Sequence, residues 1–436
     1  MSRVLVVSSD VVGARMGGAG MRYWELASVL ARRDHTVVLS APRPLPASPP
    51  FEVVELRASH LGPRSACSDV TVVGLGYAIP GLERSRHLVV DLYDPFVLEN
   101  LPARAAQPDS TGRLMHAHDL GLLLGRLQAG DFFLCASERQ RHFWLGMLTA
   151  AGRINPLTHR ADPSFRRLID VVPFGTPEEQ FAGRRSHLRE RLGLHEDDVI
   201  ALWGGGIWDW LDPLTLIRAA AEVRRHRNDL KVVFMGTRHP NPAAPRMEMV
   251  ARARDLAAEL GLLGTAVIFN DGWVPFGERA DYLAGADIGV SLHQEHLEST
   301  FSFRTRVLDY MWAGLPLVVT AGDEMAEMAA RTGSGAVVGY DDVAGVAAAL
   351  ERFAGDPGLR RRCGERSRQG AEALRWDRVA EPLAAYCASP FPAADRGRQA
   401  RPRSGFALGA KAVHLLREEG VRGLARRAGI FVGRRL

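Results

Sequence analysis

Arg3-Val4-Leu5-Val6-Val7-Ser8, Met16-Gly17-Gly18-Ala19-Gly20 and Thr36-Val37-Val38-Leu39-Ser40 open the chain. The first and last are short apolar runs rich in β-branched residues, as strands buried on both faces require. Between them, residues 21–33 set Trp24, Ala27, Leu30 and Ala31 at helical spacing. Strand, glycine loop, helix and strand in that order make a βαβ unit with a right-handed crossover.

The alternation continues outward from this unit. Residues 70–73, 87–92, 132–135 and 170–172 read as strands, with helical 120–127 and 140–148 among them. Pro173-Phe174-Gly175-Thr176-Pro177 then reads as a linker of turn formers. A second cycle follows, with strands at 199–203, 231–235, 266–269, 288–292 and 317–320 and helices at 214–225, 246–260, 279–284 and 305–313. The pattern predicts an α/β protein of two doubly wound, Rossmann-like domains facing a cleft, residues 1–172 and 173–389. Ligands bind such sheets beyond the carboxyl ends of the strands, so the candidate site lies in those loops.

Composition sets further bounds. A chain of 436 residues with 46% hydrophobic and 24% charged residues is neither disordered nor a coiled coil. The net charge of +5 conceals a split: residues 396–436 hold eleven Arg or Lys against Glu418 and Glu419, leaving 44 basic and 48 acidic residues before them. A basic body that binds nucleic acid is therefore excluded. Residues 390–436 read as a basic tail with a helix over 406–432, where Val413, Leu416, Leu424 and Phe431 oppose Lys411, Arg422 and Arg426. Such a face suits an anionic membrane surface; a solvated tail or one docked on a partner subunit is the alternative. No apolar run is long enough to span a bilayer, and the first residues lack a signal-peptide pattern. Cys67, Cys135, Cys363 and Cys387 are scattered, which fits a reducing cytoplasm and gives neither a disulfide framework nor a zinc site. His116, His118 and Asp119 lack a further ligand, so no metal is expected.

Four segments carry candidate chemistry. Gly17, Gly18, Ala19 and Gly20 serve either a phosphate or sugar approaching a helix N-terminus, or a bare tight turn. Gly204-Gly205-Gly206-Ile207-Trp208-Asp209-Trp210 combines close backbone approach with indole faces, for a ligand or for the core. Trp273 and Val274 follow a strand, where a nucleotide base can lie against them or where the Trp is simply buried at the strand end. Ser302, Arg304 and Arg306 stand before and within the first turn of a helix, where positive charge opposes the helix dipole; a diphosphate between the arginines resolves the conflict, and solvated surface arginines are the alternative. Asp309, further along that helix, is placed to accept from ribose hydroxyls. Asp94, at a strand end before Pro95, is a candidate base or orienter of an acceptor hydroxyl, or else a cap. Glu138 and Arg139 are expected to shape the acceptor side.

The order of these features resembles the retaining glycosyltransferases of family 4, which have the GT-B fold. The matching features span residues 3 to about 386: Gly17–Gly20, Asp34-His35-Thr36-Val37, Val171-Val172-Pro173-Phe174-Gly175, Gly272-Trp273-Val274 and the helix running into Gly314-Leu315-Pro316. The resemblance implies a nucleotide-sugar donor held by the second domain, an acceptor held mainly by the first, no cofactor, and a helix over 378–386 crossing back to brace the domains. The family's paired glutamates correspond here to Phe301 and Asp309. Phe301 cannot hydrogen-bond a sugar, so Glu298 or Glu295 substitutes, or the donor is a deoxy sugar. The family's Arg and Lys after the first strand of the second domain are missing, which shifts the diphosphate to Arg304 and Arg306. The resulting expectation is a glycosyltransferase acting on a glycan or lipid-linked acceptor at the membrane's inner face, with Asp94 and Glu298 at the reaction centre. A nucleotide-sugar-binding protein without transfer activity, or a sugar epimerase or phosphorylase on the same fold, is the alternative.

Overall fold

The computed structural model describes residues 1–42, 49–75, 81–238 and 247–398. The predicted tail helix over 406–432 lies outside them. The first domain is built on β1 (Arg3–Val7), β2 (Thr36–Ala41), β3 (Glu52–Glu55), β4 (Val70–Val73), β5 (Leu88–Asp91), β6 (Phe132–Cys135) and β7 (Ile169–Val171), in the order β3-β2-β1-β4-β5-β6-β7. The second is built on β8 (Val199–Trp203), β9 (Leu230–Phe234), β10 (Val267–Phe269), β11 (Ile288–Ser291), β12 (Leu317–Thr320) and β13 (Gly335–Val338), in the order β10-β9-β8-β11-β12-β13. The pairings within both sheets are parallel, so their βα loops converge on one edge of each sheet. Two Rossmann-like domains thus face each other across a cleft, as the alternating pattern predicts.

The linker is clamped rather than loose. Arg22, 1% exposed, forms a two-pronged ion pair with Asp91 at the end of β5 (2.6 and 2.9 Å). The same guanidinium donates to the carbonyls of Val172 and Pro173, both at 2.9 Å, and lies 4.4 Å over the Tyr93 ring. Gly175 admits the indole of Trp376, since a Cβ there would come within 2.5 Å of it.

The crossover expected over 378–386 is two short helices, Trp376–Val379 and Glu381–Ala388. Tyr386 stacks on Phe132 at 4.7 Å, and Ser2 Oγ donates to the Cys387 carbonyl at 2.7 Å, so this segment returns to the first domain. The chain does not leave the body at 390, as the tail reading expects. Asp395, fully buried, pairs with buried Arg153 at 2.9 Å, and Arg396 reaches Asp131 at 3.1 Å. The reason is charge: Asp131 and Arg153 are buried in the first domain, and residues 393–396 supply their partners.

Candidate active site

A cavity of about 380 Å³ opens where the strand ends of the two sheets meet. Asp10, Gly18, Ala19, Tyr93, Asp94, Pro95 and Glu99 form the first-domain wall; Trp208, Trp210, Leu211, Glu298 and Ser302 to Arg306 form the other. A larger cavity of about 490 Å³ lies behind the linker, between residues 176–181 and Trp312, Arg368 and Arg375, away from the strand ends.

The two arginines of the second-domain wall differ. Arg304, 9% exposed, donates from Nη2 to Glu298 Oε2 at 3.1 Å and to Ser299 Oγ at 3.2 Å; its Nε lies 3.7 Å from Asp323. Its charge is met inside the protein. Arg306 has no carboxylate partner among the described residues. Its Nη2 donates to the Gly206 carbonyl at 2.9 Å, its guanidinium sits 5.0 Å over the Trp203 ring, and its Nη1 is buried without a hydrogen-bond partner. Burial, with Arg304 nearby, lowers its pKa to about 10, so it remains a cation at neutral pH. Neither arginine is a solvated surface residue.

Two helix N-termini meet at this point. The helix Thr305–Ala313 has no acidic residue in its first turn, and neither does Gly18–Arg32, whose N-cap is Gly17. A Cβ on Gly18 would lie 3.7 Å from Thr305 Oγ1, so the glycine loop faces the arginine helix directly. Gly20 has another reason to be small: a Cβ there would meet the Val11 carbonyl at 2.2 Å.

Asp94 touches cleft solvent yet is walled by both domains. Enclosure first, then the Asp91 and Glu298 charges, push its carboxyl upward against the pull of Arg22. Glu99, which the sequence reading missed, ends the short helix Phe96–Glu99 and faces the same cavity. Its carboxyl is raised by burial and by Asp94 and Glu298.

A smaller cavity of about 60 Å³ adjoins the glycine loop, lined by Gly205, Gly236, Trp273, Val274, Arg279 and Asp309 among others. Asp309 pairs with Arg279 at 3.6 Å, and burial raises its carboxyl. Gly205 takes φ +73°, a backbone conformation that favours glycine. The Trp273 ring covers Gly206 and Gly236, and its Nε1 donates to the Met16 carbonyl at 3.3 Å, across the domains. Tyr310, one residue beyond Asp309, fixes the loop: its hydroxyl donates to the Val290 carbonyl at 2.8 Å and accepts from Gly204 N at 2.6 Å.

Other candidates lie elsewhere. Asp209 turns from the cleft and accepts from Met249 N at 2.9 Å. Phe301 packs against Phe143, ring centroids 4.8 Å apart, while Glu298 faces the cleft and Glu295 is exposed outside it. Glu138 and Arg139 do not shape the acceptor side as expected: Glu138 pairs with Arg166, and Arg139 reaches the carbonyls of Thr300 and Gly322 across the domains. Asp119 pairs with Arg104 at 3.0 Å. Among the described residues no three His, Cys, Asp or Glu side chains are grouped to hold a metal ion, and no helix is long and apolar enough to cross a membrane.

Comparison with known proteins agrees with this geometry. Residues 199–356 match the family model described as glycosyl transferases group 1. A D-inositol 3-phosphate glycosyltransferase of Streptomyces avermitilis is 28% identical over 243 residues, 55% of this chain and 50% of that protein. One from Geodermatophilus obscurus is 32% identical over 263 residues, 57% of this chain and 54% of that protein. The chain thus spans about half the length of the curated relatives it matches. Among solved structures, sucrose-phosphate synthase from Thermosynechococcus elongatus superposes with a TM-score of 0.65 at 18% identity, covering 88% of this chain and 98% of that one. Anabaena HepE in complex with UDP-glucose gives 0.62 at 13% identity, covering 89% and 100%. The chain has the GT-B architecture of such structures, and its residues 199–356 match a group 1 glycosyl transferase domain.

Proposed function

We propose that this protein is a glycosyltransferase that moves a sugar from a nucleoside-diphosphate sugar to an acceptor hydroxyl with retention, in the synthesis of a cell-envelope or other glycan. The observation that carries the reading is Arg306, a half-buried cation with a buried, unpartnered Nη1 and no carboxylate partner among the described residues, beside Gly204–Gly206 and two helix N-termini without acidic residues. An anion is the missing counter-charge, and a diphosphate offers several oxygens to the guanidinium and the helix N-termini where a carboxylate offers two. Asp309 and Trp273 then face the ribose and base. In the transfer, the acceptor oxygen bonds to the anomeric carbon as the bond from that carbon to the diphosphate oxygen breaks. The electron pair leaves on the diphosphate, where Arg306 and the Thr305 helix end stabilise it, and Asp94 takes the hydroxyl proton. Glu298, oriented by Arg304, faces the donor sugar.

The named acceptor of the curated relatives, an inositol phosphate, is not carried over, because the first-domain wall offers carboxyls and no cation. Phe301, turned onto Phe143, favours one second reading: a nucleotide-sugar-binding protein without transfer activity. Thermal-shift screening of UDP, GDP, dTDP and ADP sugars, followed by acceptor-dependent release of nucleoside diphosphate, separates the two. Binding of none of these sugars overturns both. We further propose that the basic residues beyond 398 hold the enzyme at an anionic cytoplasmic membrane face. Truncation must begin after Arg398 to spare Asp395 and Arg396, and should abolish liposome binding while leaving turnover on soluble acceptors intact.

A further inference from the structure

The cleft divides by charge along the domain boundary. Its first-domain wall carries Asp10, Asp94 and Glu99 and no Arg, Lys or His, whereas both arginines belong to the other wall. Arg304 is already engaged by Glu298 and Asp323, and Arg306 lies on the Gly206 carbonyl. The side chains of Asp94, exposed to the cleft, and Glu99, half-buried in its wall, make no hydrogen bond or ion pair with another described residue, which leaves two carboxyls lining the cleft without a paired cation. Facing them, the indoles of Trp208 and Trp210 lie stacked, 5.2 Å apart and 9° from parallel. A flat, half-buried aromatic pair lining the same cavity as the unpaired carboxyls suits a ring that carries both hydroxyls and a positive charge.

We propose that the acceptor is an amine-bearing sugar or cyclitol, its ammonium group paired with Glu99, a neighbouring hydroxyl on Asp94 and its ring along Trp208 and Trp210. The proposal rests on the glycosyl transfer assigned above to the same cleft. It accounts for the two unpaired carboxyls, because an ammonium favours their ionised form over the protonated form that their mutual repulsion imposes, and it disfavours a phosphate at this subsite.

The test uses the full chain saturated with whichever of UDP, GDP, dTDP or ADP binds it. The probes are methyl glycosides of glucosamine, galactosamine and mannosamine, each beside its N-acetyl counterpart and its unmodified 6-phosphate ester, titrated by calorimetry. At least one amine should bind more tightly than its N-acetyl partner by about tenfold, the low end for a charged hydrogen bond, and the phosphates should bind weakest. Glu99→Gln should erase the preference for the amine without altering affinity for the nucleotide. Equal or better binding of the N-acetyl sugars, of the phosphates, or of no probe at all overturns the proposal. A nucleoside diphosphate that binds while the amines show no advantage sinks this inference alone; absence of nucleotide binding sinks the glycosyl-transfer reading beneath it.

Discussion

Replacing Arg306 with alanine tests the donor site most directly, because the structure separates what this residue does for folding from what it does for a ligand. Among the described residues of the free protein, Arg306 forms one hydrogen bond, to Gly206, and a cation–ring contact with Trp203, while its Nη1 is buried without a hydrogen-bond partner. The bond and the ring contact each contribute about 1 kcal/mol; the unsatisfied donor costs about 1–3 kcal/mol. The gains and the cost nearly cancel, so Arg306→Ala should leave the melting temperature of the free protein almost unchanged. Bound diphosphate changes the balance. A charged hydrogen bond to the guanidinium is worth about 1.5–3 kcal/mol, which is about 10- to 150-fold in affinity. Calorimetry with the preferred nucleoside diphosphate, and the nucleotide-induced shift in melting temperature, both read this loss. Arg304→Ala provides the contrast. It strands Glu298 and Asp323, 5% and 3% exposed, and should cost about 3–5 kcal/mol of stability whatever it does to the nucleotide. Unchanged nucleotide affinity in Arg306→Ala would refute the diphosphate assignment. A large loss of stability in the free variant would refute the claim that this cation awaits a ligand.

Asp94 and Glu99 have raised carboxyls, so between the ordinary carboxyl range and their raised values the folded protein holds protons that the unfolded chain has released. Stability should therefore fall as pH rises through that window, and Asp94→Asn or Glu99→Gln should flatten the fall and stabilise the protein at pH 8; an undiminished fall in both variants would contradict it. Arg22→Met leaves Asp91 buried without its partner and should cost about 3–5 kcal/mol in urea denaturation, most of it regained when Asp91→Leu is added. Gly289→Ala places a Cβ 2.3 Å from Tyr310 Cγ, so it should shift the ring that anchors Gly204 and cost about 1–3 kcal/mol while weakening nucleotide binding; a wild-type melting curve would show that β11 tolerates the methyl group.

The sheets were legible because parallel strands buried on both faces are written as short β-branched runs, and the linker because Pro173 and Gly175 interrupt them. β3 and β13 went unseen for the same physical reason reversed. They are edge strands of four residues, half-buried, with Glu52 and Glu55 or Gly335 weakening the apolar signal. The helix Asp109–Ala129 is far longer than the stretch 120–127, since its buried positions are few and its face includes His and Gly. In the site, two arginines at a helix N-terminus signalled a conflict that an anion resolves. Which arginine is free for the anion was not legible, because Asp323 arrives from a different strand end, after β12. Glu99 was hidden because nothing in its spacing shows that Pro95 and the four-residue helix after it turn its carboxyl back beside Asp94.

The two sides of the cleft are held by contacts of unequal strength, and this fixes how ligands enter. At the rim, Tyr93 Oη donates to the Phe303 carbonyl at 2.8 Å, Gln140 Nε2 to the Phe301 carbonyl at 2.7 Å, Phe276 N to the Ala14 carbonyl at 2.7 Å, and Arg139 to the carbonyls of Thr300 and Gly322 and to exposed Glu327. These acceptors are main-chain carbonyls and one exposed carboxylate, all of which water satisfies on opening, so each contributes only about 1 kcal/mol net. At the hinge, separation would expose Trp376 and Phe174, 2% and 6% exposed, and pull the linker carbonyls from Arg22 while its partner Asp91 stays buried. Burial of the two aromatic rings alone is worth several kcal/mol, about 1.5–3 each, before the charge is counted. Rotation about residues 173–176 that breaks the rim and keeps the hinge therefore costs less than separation at the hinge. It uncovers Arg306 and the carboxyl wall together, so on the proposed reading donor and acceptor enter by the same opening.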